Sequence, residues 1–309
     1  MKDSFEDFYN NSLDNDNLYI EWEKAKKEKN RNIFLSLIII IGVNIIIGYI
    51  FKKGENSLSI DVLIIMVILD IIIYQYINKT IKGKYNRIYK NKIMDKLFKN
   101  FFNNVSYKPD QPMPEGIYLY STTALHDKYY SEDYMEGTID EKNHIRMADV
   151  KTLRRCSKQY KICFNGLFAE IKLDKKIKSM LRISTALQIS SDFYIELQQN
   201  TKGNLELDSK DFEKFFNVIA KDSVFAHRVL THDIMEFLVE YRKKIDKEFD
   251  IKIDDNYMYI RVYSKEMFEP SINNEVFIDK VRLKREYDII EFIYILSKKM
   301  VEVINEMEI

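Results

Sequence analysis

Four histidines and two cysteines limit the side-chain chemistry open to this chain. His227 and His232, with Asp233 beside the second, form the densest group of metal-ligating types, and Glu170 is a carboxylate that a site assembled from distant residues would recruit. A spacing of five on helical sequence puts the two imidazoles on different faces, whereas a helical metal site takes ligands about one turn apart. The group reads as structural unless a break near Thr231 redirects His232. Cys156 and Cys163 lack a CxxC pairing, and Cys163 beside Phe164 in an apolar run reads as a small core residue. A cysteine nucleophile served by a distant histidine is the competing reading. No two of the eight glycines are closer than six residues, which excludes GxGxxG, and GxxxxGK[ST], GxSxG and HExxH are absent too. No cofactor and no metal are implied.

Asp70 is the sharpest single residue. It interrupts an apolar run, and a carboxylate at the middle of a bilayer costs about 2.5–3.5 kcal/mol on insertion scales, so it must face a partner. Asn44, in the preceding apolar run, lies within about two turns of the same depth and is the hydrogen-bonding candidate. The plain reading makes Asp70 a polar tie within a helical hairpin or between copies of the chain. The sharper reading makes it a contact with another membrane protein, or an ion relay.

Basic residues cluster on both sides of Cys163. Lys151, Arg154, Arg155, Lys158 and Lys161 precede it, and Lys172, Lys175, Lys176, Lys178 and Arg182 follow. Arg154, Arg155, Lys158, Lys175 and Lys176 are the candidates for contact with anionic lipid, each worth about 1 kcal/mol near such a surface. The competing reading is a solvated face balanced by Glu132, Asp133, Glu136, Asp140 and Glu141.

The elements that would carry these residues begin with two apolar runs. Residues 33–51 contain no charge, enough for one span, and residues 58–77 carry Asp61, Asp70 and Gln75 but no Lys or Arg. The short linker makes them an antiparallel hairpin. Lys24, Lys26, Lys27, Lys29 and Arg31 precede the first run, Lys79, Lys82, Lys84 and Arg87 follow the second, and only Lys52 and Lys53 lie between. The basic bias puts both termini in the cytoplasm of a multi-pass protein of the bacterial inner membrane. A cleaved signal is not expected behind a charged leader.

Beyond the hairpin, 81–102 has helical spacing and Pro109, Pro112 and Pro114 mark an extended connector. Residues 117–122, 138–140, 144–150, 159–173 and 179–187 favour strands, rich in Tyr, Ile, Phe and Thr. Helical spacing returns at Phe212, Phe215, Phe216 and Ile219 and at Ile234, Phe237, Leu238, Tyr241 and Ile245, with Asp208 or Ser209, Asp222 or Ser223, and Thr231 suited as caps. Phe249, Ile251 and Ile253, then Met258, Ile260 and Val262, alternate about a turn at Asp254, Asp255 and Asn256, predicting a strand hairpin. A long helix from about Lys284 closes the chain. The class is α+β: a cytoplasmic leader (1–31), a transmembrane helical hairpin (32–78), a membrane-to-domain helix (79–106) and a cytoplasmic domain with an antiparallel sheet and packed helices (107–309).

The segments CFNGLFAEI (163–171) and DFEKFFNVIAKDSVFAHRVLTHDIMEFL (211–238) resemble a bacterial family named domain of unknown function 3137. The matching positions are Phe164, Gly166 and Phe168, then Asp211, Phe212, Glu213 and Phe216, then Asp222, Ala226 and Leu230. The resemblance covers about residues 80–309 and implies the architecture just described. It carries no established activity and transfers no catalytic residue.

With 48 basic and 48 acidic residues the chain has no net field to recruit nucleic acid. The expected role is binding of a protein partner, a second copy or the lipid surface by the cytoplasmic domain, without catalysis. The alternatives are an enzyme on membrane-proximal substrates and a small subunit of a transport assembly.

Overall fold

The computed structural model describes residues 2–13, 16–53, 60–122, 125–185, 205, 207–265, 267–270 and 278–307. In chain order these form α1 (Phe5–Leu13), α2 (Asp16–Lys53), α3 (Ile60–Ile88), a π-helical turn (Tyr89–Met94), α4 (Asp95–Phe101), β1 (Asn103–Lys108), α5 (Glu115–Leu119), β2 (Lys128–Thr138), β3 (His144–Cys156), β4 (Gln159–Thr185), α6 (Lys210–Glu213), β5 (Phe216–Ala220), α7 (Ser223–Val229), α8 (His232–Ile245), β6 (Phe249–Val262) and α9 (Lys280–Glu306). They fall into two compact units. One comprises Met1–Glu6, Met94–Phe268 and Lys280–Ile309, and the other Asp7–Ile93 and Glu269–Asp279.

The first unit is α+β, built on a six-stranded antiparallel sheet. β1, β2, β3 and β4 are neighbours in sequence order. β4 then pairs with β5 through 181–185 and with β6 along its opposite edge. The β4–β6 ladder shifts register between Lys172 and Ile177 and again before Leu181, beside Asp255, whose φ is 55°. The strands bend there, and the ends of β6 meet: the Tyr263 N–H donates to the Glu248 carbonyl over 2.9 Å. The chain thus reverses at the expected turn, but both arms pair with β4 as one bent strand.

A buried ionic cluster ties the two arms together. Asp250 accepts from Arg261 Nη2 at 3.0 Å, from Tyr263 Oη at 2.9 Å and from Ser184 Oγ, with Arg182 Nη2 at 3.7 Å. Arg182 is wholly buried, which its expected place in a surface basic run did not foresee. Gly166 permits the closure: a Cβ there would stand 2.1 Å from the Val262 carbonyl oxygen and 2.6 Å from the Ser264 nitrogen.

Helices cover one face of the sheet. α9 buries Leu283, Tyr287, Ile290, Ile293, Met300 and Ile304 at helical spacing. Its Phe292 lies 4.7 Å from Phe249 of β6 and 5.5 Å from Tyr241 of α8, and its Tyr294 lies 5.7 Å from Phe101 of α4. Residues 2–6 are held on this side as well. Tyr287 Oη donates to the Asp3 carbonyl at 2.6 Å, Phe5 packs edge-on against Tyr287 at 5.4 Å, and Lys280 pairs with Glu6 at 2.7 Å.

Ser209, Asp222 and Thr231 cap α6, α7 and α8 through their side-chain oxygens. Four local expectations are corrected. Residues 117–122 were expected as a strand, but Pro114, with φ fixed at −57°, opens α5, which buries Tyr118 5.2 Å from Phe168. Phe212 to Ile219 is not one helix, since Phe216–Ala220 pairs with β4 as a strand and Phe216 stacks 4.7 Å from Phe212. β2 is longer than the expected 138–140 because a bulge at Asp133, φ 60°, breaks its alternation. The expected strands 159–173 and 179–185 are a single one, β4; residues 186 and 187 lie outside the described residues.

In the second unit α2 and α3 are long helices. Ile20–Tyr49 of α2 is long and apolar enough to cross a membrane, whereas the described apolar stretch of α3, Met66–Gln75, is shorter and contains Asp70. Among the described residues length and composition therefore mark one span, and the second of the expected two is not confirmed by them. Phe8, Leu18 and Trp22 are buried, and Glu269 accepts from Asn86 at 2.7 Å and pairs with Lys90 at 3.3 Å.

Candidate functional site

Three places gather the residues singled out above. On the α2–α3 pair, Asn44 Nδ2 donates to Asp70 Oδ2 at 3.2 Å, while Asn44 Oδ1 has no hydrogen-bond partner among the described residues. The side chains around this contact are apolar and open. From Phe34 to Tyr49 nine large hydrophobic side chains of α2 are 46–66% exposed, and Ile64, Val67, Ile68, Ile71, Ile72 and Tyr74 of α3 are exposed as well.

The second place is the end of the β3–β4 hairpin. β3 and β4 run antiparallel to a tight turn in which Ser157 takes φ 58°, pairing Cys156 with Gln159, Arg155 with Tyr160, Arg154 with Lys161 and Leu153 with Ile162. Directly paired residues share a face and alternate residues along a strand do too. Lys128 and Tyr130 of β2, Lys151, Leu153 and Arg155 of β3, and Tyr160 and Ile162 of β4 therefore stand together. The Lys128 ammonium sits 4.1 Å from the Tyr160 ring centre. The same row of β3 is buried at Ile145 and Met147 and open from Lys151 onward.

The expected lipid candidates divide here. Arg154, Arg155 and Lys158 belong to this hairpin end, whereas Lys175 and Lys176 lie at the bend of β4, on the order of 50 Å further along the strand. Lys175 Nζ donates to the carbonyls of Asn305 and Met307 at 2.6 and 2.9 Å, satisfying the end of α9, and Lys176 pairs with Asp255 at 3.1 Å. Tyr130, Tyr160 and Ile162 were not singled out from the sequence. Their signal was the period-two pattern of 151, 153, 155 and 160, 162.

The third place is a concavity of about 540 Å³ on the sheet, lined by Ser106, Glu136, Thr138, His144, Arg146, Glu170, Lys172 and Tyr257 among others. Register explains the gathering, since Ser106, Glu136, Arg146, Glu170 and Tyr259 form one cross-strand row and Thr138, His144, Lys172 and Tyr257 the next. Glu170 is 6% exposed, with Arg146 Nη1 at 3.4 Å. Burial pushes its carboxyl above the usual 4.5, while the charges of Arg146 and Lys172 oppose the shift.

His227, His232 and Asp233 are exposed on α7 and α8 and line no part of this concavity. Among the described residues no three His, Cys, Asp or Glu side chains are grouped to hold a metal ion. Cys156 and Cys163 are half-buried and are not joined in a disulfide.

The motif residues of the resemblance have structural duties. Phe164 and Phe168 pack with Tyr118 in an aromatic cluster, Glu213 Oε1 accepts from the Leu207 N–H at 2.8 Å, and Ala226 and Leu230 are buried beneath the Asp222-capped helix. No curated protein matches the sequence. Among solved structures the chain is similar to the mycobacterial trehalose monomycolate transport factor A, TtfA. The identity is 7% and the TM-score 0.37, over 70% of this chain and 96% of that one, a likeness too slight to carry a fold or a role across. Residues 162–308 match the family described as protein of unknown function, DUF3137, which supports the resemblance read from the sequence.

Proposed function

We propose that this is a bacterial inner-membrane protein, held by α2 and α3 as a two-span hairpin with both ends cytoplasmic, whose α+β domain acts by binding a protein partner or the lipid surface. The observation that carries this reading is the open apolar surface of both helices. Soluble helices bury such side chains, at about 25 cal/mol per Å² of apolar area removed from water, and lipid is the solvent that leaves them no reason to be covered. The basic residues flanking the helices agree with that orientation.

The test is purification of the tagged full-length chain from membranes in mild detergent, after washing at high pH, with mass spectrometry of what accompanies it. Retention through the wash and a partner at fixed ratio are expected. Release by the wash overturns the anchor, and a protein that emerges alone overturns the partner. A second reading, a small-molecule site or enzyme, draws on the concavity that holds Glu170. Of His227, His232, Asp233 and Glu170, the concavity holds Glu170 alone.

A further inference from the structure

We propose that the open end of the β3–β4 hairpin lies against anionic lipid, inserting Tyr130, Tyr160 and Ile162 at headgroup depth while the basic residues around them bind the headgroups. This deepens the membrane reading above and rests on it. Three observations converge on this face.

The first is composition. No acidic residue occurs between Val150 and Asn165, a stretch that contains Lys151, Arg154, Arg155, Lys158 and Lys161, and β2 adds Lys128. Acidic residues border the face: Asp127 is engaged by the Arg155 N–H through Oδ2, and Glu132 and Asp149 pair opposite each other on the same row, next to Tyr130 and Lys151 on the side nearer the sheet centre. The second is exposure. Tyr130, Tyr160 and Ile162 are 51%, 45% and 53% exposed on the row that is buried nearer the centre of the sheet. A solvated basic face has no use for two open tyrosines and an isoleucine, whereas amphipathic rings settle at the level of lipid headgroups and lysine and arginine stems lie along the apolar boundary with their charges outward. The third is the anchor itself. A chain fixed in a bilayer keeps the lipid surface at high effective concentration, so a weak surface contact is occupied without a separate binding event. An acidic protein would match the charges but gains nothing from that tether.

Cys156 stands on the face opposite Arg155 and Tyr160, and Cys163 at the register shift, so the reporter is Leu153→Cys, on the proposed face, in a chain that carries Cys156→Ser and Cys163→Ser. The full-length protein is reconstituted into vesicles of phosphatidylcholine alone or with phosphatidylglycerol, and the rate of reaction with a water-soluble maleimide is followed. With phosphatidylglycerol the rate should fall at least about five-fold, the factor that one basic residue near an anionic surface is worth. High salt should restore it, because the attraction is screened. Lys151→Glu, Arg155→Glu and Lys158→Glu together should abolish the lipid effect; all three side chains are exposed, and the reporter chain in salt gives the same answer without any charge reversal. Equal rates in the two lipids overturn the proposal. Equal rates in pure vesicles with protection only in native membranes overturn it in favour of an acidic protein. If the anchor reading fails instead, the chain does not remain with vesicles of either composition.

Discussion

Asp250 and Asp70 are carboxylates set among apolar side chains, and their surroundings differ. Asp250 is 2% exposed between the arms of β4 and β6 and is met by two guanidinium groups and two hydroxyls. Among the described residues Asp70 is met by one amide, that of Asn44, at 3.2 Å. A buried charge met by several donors and cations holds parts of a fold in register; a carboxylate with one neutral donor leaves capacity for something else. The difference separates a group that serves the architecture from one open to an interaction.

Breaking the first site should have the largest effect. Asp250→Ala leaves Arg182 and Arg261 buried without their anion and should lower the unfolding free energy by about 3–5 kcal/mol, read from denaturant unfolding of the detergent-solubilised chain. A loss below 1 kcal/mol would put Asp250 in the same class as Asp70. Gly166→Ala attacks the same cluster from outside, by pushing back the strand end that brings Arg261 and Tyr263 to Asp250. About 1–3 kcal/mol should be lost, and an unchanged melting temperature would show that the closure does not depend on the missing Cβ.

The helix pair should respond less. In a double-mutant cycle of Asn44→Ala and Asp70→Ala, the coupling energy from thermal melts should be about 0.6 and at most about 1.7 kcal/mol. A coupling near that of a full ion pair would erase the contrast with Asp250.

Glu170 provides the smallest test, since its single guanidinium partner puts it between the two. Its carboxyl is raised by burial, so the stability it lends is complete below pH 4.5 and is lost as pH rises through the folded-state value. Glu170→Gln should match the native chain at acid pH and melt slightly higher at neutral pH. A variant that melts lower at neutral pH would show that the Arg146 pair outweighs the cost of burial.

What could be read from the sequence was local. The helix starts at Ser209, Asp222 and Thr231 were legible because a cap is decided within three residues, although Asp208 and Ser223 competed for the first two, and the turn at Asp254, Asp255 and Asn256 was visible for the same reason. The Asn44–Asp70 hydrogen bond was legible because an isolated polar group in an apolar run must find another. The Asp250 cluster had no such signal. Arg182, Asp250 and Arg261 come from separate parts of the chain, and each looks like an ordinary surface charge between apolar neighbours. Lys175 was misleading in the same manner, because the carbonyls it satisfies, those of Asn305 and Met307, lie at the far end of α9. The hairpin face was half legible: its basic residues stood out, but that Tyr160 and Ile162 lie uncovered depends on where burial of the β3 row ends.

The clasp of residues 2–6 on α9 joins segments made at opposite times in the life of the chain. At roughly 5–20 residues per second, Asp3 and Phe5 leave the ribosome tens of seconds before Tyr287 exists to receive them. Throughout that interval they need another tenant for their apolar surface or the protection of a chaperone. Completion of the sheet domain therefore waits until α9 is made, and ribosome-nascent chains stopped before α9 should remain open to proteases at both residues 2–6 and the face of the sheet that α9 covers.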